Sequence, residues 1–145
     1  MPESSVISIE SLSSSKKAQL QNAMDLPKMY LSIENFDYNP EQKCVIYTIE
    51  IGILKGSKVI THQVHKRYSA LFEFDELIRP LFKVSRFLLR FPPKKIFGNK
   101  QKEFLEQRAT ELQKYLACLN NVVGVISTPS FLRCFEVDPD LINEE

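Results

Sequence analysis

The sequence predicts an α+β fold: a three-stranded antiparallel β-meander packed against a helical subdomain of three to four helices, with a proline-rich loop among the helices. Three observations predict it. Apolar residues alternate at period two from residue 29 to about residue 68 and recur at helical spacing beyond it. Short stretches of turn-forming residues separate the strand-like runs, as in hairpins. At 145 residues, with 43% hydrophobic and 26% charged, the chain suits one domain with one core.

In chain order, residues 1–26 are serine-rich and without sustained periodicity, which reads as a flexible leader with at most a helical turn near KKAQLQNAM. Met29, Leu31 and Ile33 alternate as a first strand, and residues 35–40 carry turn formers. Val45, Tyr47, Ile49, Ile51 and Ile53 alternate as a second strand, ended by KGS. Residues 59–68 make the third. Ser69 is then a candidate N-cap for a helix that places Leu71, Phe74, Leu77, Ile78 and Leu81 on one face, with Pro80 distorting its end. Residues 91–100 form the proline-rich loop, and residues 101–120 a second helix with apolar Phe104, Leu105, Leu112, Tyr115, Leu116 and Leu119. A short last helix begins near Pro129-Ser130 and buries Phe131, Leu132 and Phe135. The folded domain is expected over residues 27–138, between the leader and an acidic tail at residues 139–145.

Bulk features exclude several classes of function. No apolar run approaches the roughly 18 residues of a membrane-crossing helix. The N-terminal residues carry early acids and lack the basic-then-apolar order of a secretory signal. Cys44, Cys118 and Cys134 are far apart and without metal spacing, so reduced thiols in a cytoplasmic protein are expected. The net charge of +1 conceals a segregation: eight of the 19 basic residues fall within residues 79–102, where there is no acid. Such a stretch either faces something negative or is a solvated basic face, and charge alone leaves both open.

Two places break their local pattern. On a helical projection from Phe104, the apolar arc runs through Tyr115, Leu119, Leu112 and Leu105 to Leu116 at about 120°, and Arg108 falls inside it at about 40°. A guanidinium on a core face needs partners, because an unpaired buried charge is costly. It either pairs internally or snorkels, or it points into a pocket and binds a polar ligand. The second place is HKRYSALFEF, where a strand gives way to a helix at Lys66, Arg67, Tyr68 and Ser69. Helix N-terminal amides are unpaired and partly positive, so such a corner suits an anion. Arg67 can grip a phosphate in a fork, and Tyr68 offers a flat ring to the face of a sugar or inositol.

Together these pieces resemble the PX (phox-homology) domain over about residues 28–137. The carriers are Arg67-Tyr68-Ser69 after the third strand, the loop Phe91-Pro92-Pro93-Lys94-Lys95-Ile96-Phe97-Gly98, and Arg108 within FLEQR of the next helix. The resemblance implies a three-stranded sheet with a helical subdomain. It also implies a sorting-nexin-like module that binds phosphoinositides, most often phosphatidylinositol 3-phosphate, and is recruited from the cytoplasm to endosomal membranes. By position, Arg67 is similar to the residue that holds the 3-phosphate, and Tyr68 to the ring beneath the inositol. Lys94, or Lys95 in its stead, is similar to the ligand of the 1-phosphate, and Arg108 to the arginine that bonds the 4- and 5-hydroxyls. The chain departs from the family at Lys66, where many members have a second arginine, and at Leu71, where an aromatic is common. It also lacks Pro-x-x-Pro spacing in residues 91–95, so SH3 recognition is not carried over.

The loop poses its own question, because Ile96 and Phe97 form a bare apolar pair among lysines. Held beyond the mouth of a headgroup pocket, Lys95, Ile96 and Phe97 would form a membrane-insertion loop, with the lysines against anionic headgroups. The other reading has the pair folding back onto the second helix as core. Catalysis is set aside: His62 and His65 lie three apart on opposite strand faces, and no Walker loop, nucleophile elbow or paired carboxylates occur. No metal and no cofactor are called for. Nucleic-acid binding is the rival that Phe82, Phe87, Phe91 and Phe97 raise by interleaving with the basic residues. A protein-interaction module is a further rival, compatible with lipid binding.

Overall fold

The computed structural model describes residues 3–83, 89–94 and 102–143. Its elements run β1 (Ser5–Ser8), α1 (Ser14–Asn22), β2 (Met29–Asn39), β3 (Cys44–Lys55), β4 (Lys58–Arg67), α2 (Tyr68–Phe82), α3 (Lys102–Leu119), α4 (Pro129–Cys134) and α5 (Pro139–Asn143). β2, β3 and β4 pair antiparallel in sequence order, the expected meander. A two-residue turn joins β3 to β4, and Gly56 at φ 63° supplies the left-handed backbone there.

The sheet has four strands rather than three, in the order β1-β4-β3-β2. The extra strand comes from the serine-rich leader, which is not the bare segment its composition suggests. Two of its serines cap turns: Ser8 accepts from Glu10 N–H, and Ser13 from Lys16 N–H at the start of α1. Leu12 and Leu20 pack with Tyr30 and Val59 as a second, smaller core on the sheet face opposite the helical layer. There Lys16 bonds Glu50 at 2.7 Å and Glu34 at 3.1 Å, and the Tyr30 hydroxyl donates to Glu50 at 2.7 Å. Burial of Lys16 opposes its charge, yet the two carboxylates outweigh that and hold its pKa above the ordinary value. Gly52, opposite Tyr30 in the register, makes room: a Cβ there would overlap the Tyr30 ring.

β2 also runs further than alternation indicates. Residues 35–39, expected as a turn, continue the strand past a bulge between Ile33 and Asn35. The bulge shifts the parity, so the inward set changes from Met29, Leu31 and Ile33 to Phe36, which meets Tyr47 at 5.9 Å. The exposed edge of β2 is met by side-chain amides rather than by another strand. Gln19 pairs with the N–H and C=O of Leu31 at 2.9 and 3.0 Å, and Gln113 accepts from Ile33 N–H at 2.6 Å. Asn120 donates to the Met29 carbonyl at 3.0 Å.

The main core lies between the inward face of the sheet and the helices. α2 is turned from its expected setting. Leu71, Phe74 and Ile78 are buried as predicted, but Leu77 and Leu81 are exposed, and Asp75 and Arg79 are buried in their place. The cause is a buried polar network. Arg79 bonds both Asp75 oxygens, at 2.7 and 3.1 Å, and the Leu89 carbonyl at 2.7 Å, while Tyr115 of α3 donates to Asp75 at 2.8 Å. α4 buries Phe131 and Phe135, with Leu132 half-buried. Within the expected acidic tail, α5 packs Leu141 and Ile142 against the main core. Among the described residues no helix is long and apolar enough to cross a membrane.

Candidate functional site

β4 enters α2 without a connector: Arg67 is the N-cap residue, extended at φ −93° and ψ 164°, and Tyr68 is the first helical residue. Ser69, expected as the cap, therefore sits within the first turn. The strand's extended geometry ends at Arg67, and helical backbone begins two residues earlier than a Ser69 cap would place it. The Arg67 side chain makes no capping bond, which leaves first-turn amides able to meet an external acceptor. Arg67 is exposed and, among the described residues, in no ion pair.

A cleft of about 310 Å³ opens beside this corner. Its walls are Arg67, Tyr68 and Ser69 on one side, Leu105 and Arg108 of α3 on another, and Tyr38, Tyr47 and the turn residues Gln42 and Lys43 on the third. The fold thus brings together four of the expected site residues, Arg67, Tyr68, Ser69 and Arg108, from elements up to 41 positions apart. A wider groove of about 960 Å³ adjoins it and shares Arg67, Tyr38 and Gln42, but contains Asp37 and lacks Arg108. The wider groove also carries Lys66, and what sets the smaller cleft apart is that Arg108 of α3 joins Arg67, Tyr68 and Ser69 there.

Lys94 reaches this region from the loop. It is exposed, and its Nζ lies 4.6 Å from the centroid of the Phe72 ring. Phe72 is 6.1 Å from Tyr68, and Phe91 lies against both, at 5.8 and 5.4 Å. Phe91 also meets Tyr115 edge-on at 4.8 Å, so the loop's first residue is anchored in the core. Lys95, Ile96 and Phe97 lie outside the described residues.

Tyr68 has a second task that the sequence did not disclose. Its hydroxyl donates to the Pro92 carbonyl at 2.6 Å and so ties the proline loop to the strand–helix corner. Arg108 reaches the same loop, donating to the Pro93 carbonyl at 3.3 Å. Its guanidinium carbon lies 4.0 Å from the Tyr68 centroid and 4.6 Å from that of Phe104. The arginine on the apolar arc is therefore half-buried among rings at the cleft wall, rather than sealed in the core. Burial raises the Tyr68 phenol pKa, and the Arg108 charge pulls it back.

Tyr38, Lys43 and Tyr47 are cleft residues that the sequence did not single out. Tyr47 belongs to the alternating inward face of β3, which marks it as core, and its hydroxyl carries no pattern of its own. His62 and His65 behave as sheet residues: His62 donates to the Phe135 carbonyl at 2.8 Å, and His65 lies 3.1 Å from the Thr48 hydroxyl.

Comparison with known proteins bears on the family and the fold. Sorting nexin-13 of Mus musculus is 31% identical over 72 residues, which is 50% of this chain and 8% of that protein. Kinesin-like protein KIF16B of Mus musculus is 41% identical over 70 residues, 48% of this chain and 5% of that protein. The chain thus spans a small fraction of the length of these curated relatives. Among solved structures, a designed CISK-PX domain superposes with TM-score 0.60 at 20% identity, covering 73% of this chain and 97% of that one. The mouse SNX19 PX domain with bound sulphate ion superposes with TM-score 0.59 at 14% identity, covering 76% and 97%. At these identities the two structures speak for the fold alone. Residues 54–137 match the family model described as PX domain, more than half of the chain, and the chain belongs to the PX domain family.

Proposed function

We propose that this chain is a membrane-targeting module that recognises phosphatidylinositol 3-phosphate on the cytosolic face of endosomal membranes, in trafficking or signalling. PX domains are phosphoinositide-binding modules, and the observation that carries the finer reading is Arg67. It is an exposed guanidinium, without an ion pair among the described residues, at a strand–helix corner that no side chain caps, on the same cleft as Tyr68 and Arg108. Phosphate binding is what such a corner does well, because forked donors and helix amides converge on one anion. In this reading Arg67 and the Ser69 turn hold the 3-phosphate and Tyr68 lies against the inositol. Lys94 takes the 1-phosphate and Arg108 the ring hydroxyls. Lys95, Ile96 and Phe97 enter the membrane surface beside the headgroup. The lipid-reading unit is residues 27–138, and the work is binding, without catalysis or cofactor.

Vesicle co-sedimentation across the phosphoinositide series tests it. The expected result is binding to vesicles carrying the 3-phosphate lipid and little binding to those carrying the 4- or 5-phosphate isomers. Equal binding to every anionic vesicle, falling steeply with salt, would reduce the site to a basic surface and sink the headgroup assignment.

A further inference from the structure

Two polar atoms at the cleft are met by nothing in the described fold. The Tyr47 hydroxyl and Arg108 Nε are both closed to solvent and, among the described residues, have no hydrogen-bond partner. Both residues line the same cleft, beside Arg67 and Tyr68. Tyr47 is 1% exposed, with its ring packed on the inward face of β3. Phenylalanine would fill that space without stranding an oxygen, and a stranded buried hydroxyl is destabilising. An oxygen kept there at a cost to the fold, on the wall of a binding cleft, is oxygen available to a ligand.

We propose that Tyr47 is a specificity-determining residue of the headgroup site, its hydroxyl and the Nε–H of Arg108 together holding one unphosphorylated ring hydroxyl of the inositol. The inference rests on the phosphoinositide reading above and adds to it the residue that selects against further phosphates. An Nε–H only donates, a phenol donates or accepts, and a ring hydroxyl does both. One ligand hydroxyl can therefore accept from Arg108 Nε–H and donate to the Tyr47 oxygen, which gives each of the two stranded atoms a partner. A phosphate at that place would have to fit a group much larger than a hydroxyl into the enclosed space behind Arg108 and give up its hydration there. The ligand reaches the pair by displacing Arg108 slightly. That side chain is held by ring stacking and one long bond of 3.3 Å, contacts that can be exchanged for those of an inositol. Burial raises the Tyr47 phenol pKa against the pull of Arg108, so the hydroxyl keeps its proton at neutral pH.

The test is Tyr47→Phe, measured by titration calorimetry with water-soluble dibutanoyl phosphatidylinositol 3-phosphate and with the 3,4- and 3,5-bisphosphate counterparts. The expected result is an unfolding midpoint equal to or above that of the native chain. Monophosphate affinity falls about tenfold, which is about 1.4 kcal/mol, and the preference over at least one bisphosphate narrows. Arg108→Lys, which keeps the charge and removes Nε, narrows the same preference. If the native chain binds and Tyr47→Phe binds with the same affinity and preference, this inference falls and the headgroup reading stands. A midpoint lowered in step with lost binding also overturns it, because the hydroxyl is then structural. If the native chain binds none of the three lipids, the headgroup reading itself falls.

Discussion

Arg67 and Arg108 reach one cleft by different routes, and that difference decides what each substitution does. Arg67 stands exposed at the end of a strand, so the fold has little use for its charge. Arg67→Gln is expected to lower affinity for 3-phosphate vesicles on the order of a hundredfold, the effect of losing a charged phosphate contact. Its unfolding midpoint should stay put, and unchanged vesicle binding would remove Arg67 from the site. Arg108 is different, because it stacks on Tyr68 and Phe104 and its buried Nε has no hydrogen-bond partner among the described residues. Arg108→Leu loses two cation–π contacts of about 0.5–1 kcal/mol each and gains apolar fill of similar total size. Stability should therefore hold within about 1 kcal/mol while headgroup affinity drops. A much larger fall in the denaturation midpoint would mark the arginine as structural. Both arginines were legible beforehand, since one broke an apolar arc and the other sat at a strand–helix corner. Tyr47 was not, because a tyrosine on an alternating strand face looks the same whether its hydroxyl is used or not.

Elements differ from their sequence patterns where a neighbouring element outbids local periodicity. α2 turns Asp75 and Arg79 inward because Tyr115 and the Leu89 carbonyl complete their bonding, and Leu77 and Leu81 turn out to solvent. A buried ion pair is tolerable only when such extra bonds meet its remaining atoms. The same network holds the entry to the proline loop. Arg79 fixes Leu89, Phe91 is wedged against Tyr115, and Pro92 and Pro93 are held by Tyr68 and Arg108. The described part of the loop, through Lys94, is thus held on a stiff base. The double substitution Ile96→Ala and Phe97→Ala is expected to weaken vesicle binding at least about tenfold, roughly 1.4 kcal/mol, with binding of a soluble short-chain headgroup unchanged. Equal loss in both assays would show that the pair serves the fold and not the membrane.

At the scale of the whole molecule, the serine-rich leader turns out to be a second face of the structure. Leu12 is 7% exposed and Leu20 3%, against Tyr30 and Val59 on the side of the sheet away from the main core. Leu12→Ala and Leu20→Ala should each cost about 2–3 kcal/mol of stability, read by denaturant unfolding. Headgroup affinity should be retained while the chain is folded, because neither leucine touches the cleft. Loss of under about 0.5 kcal/mol in both would return the segment to the status of a loose leader. The sequence by itself determined the strand–strand–strand–helix order, the buried face of β3 and of the first half of β2, the corner at Arg67 and the odd charge at Arg108. These are local facts, written in periodicities of two and 3.6 and in residues that violate them. Only the tertiary structure decided the fourth strand, the bulge that carries β2 to Asn39, the inward turn of Asp75 and Arg79, and the company Tyr47 keeps. Each of those depends on a partner far away in the chain. One or two leucines in a polar segment, or one hydroxyl on an apolar face, acquire meaning only when the distant surface that meets them is known.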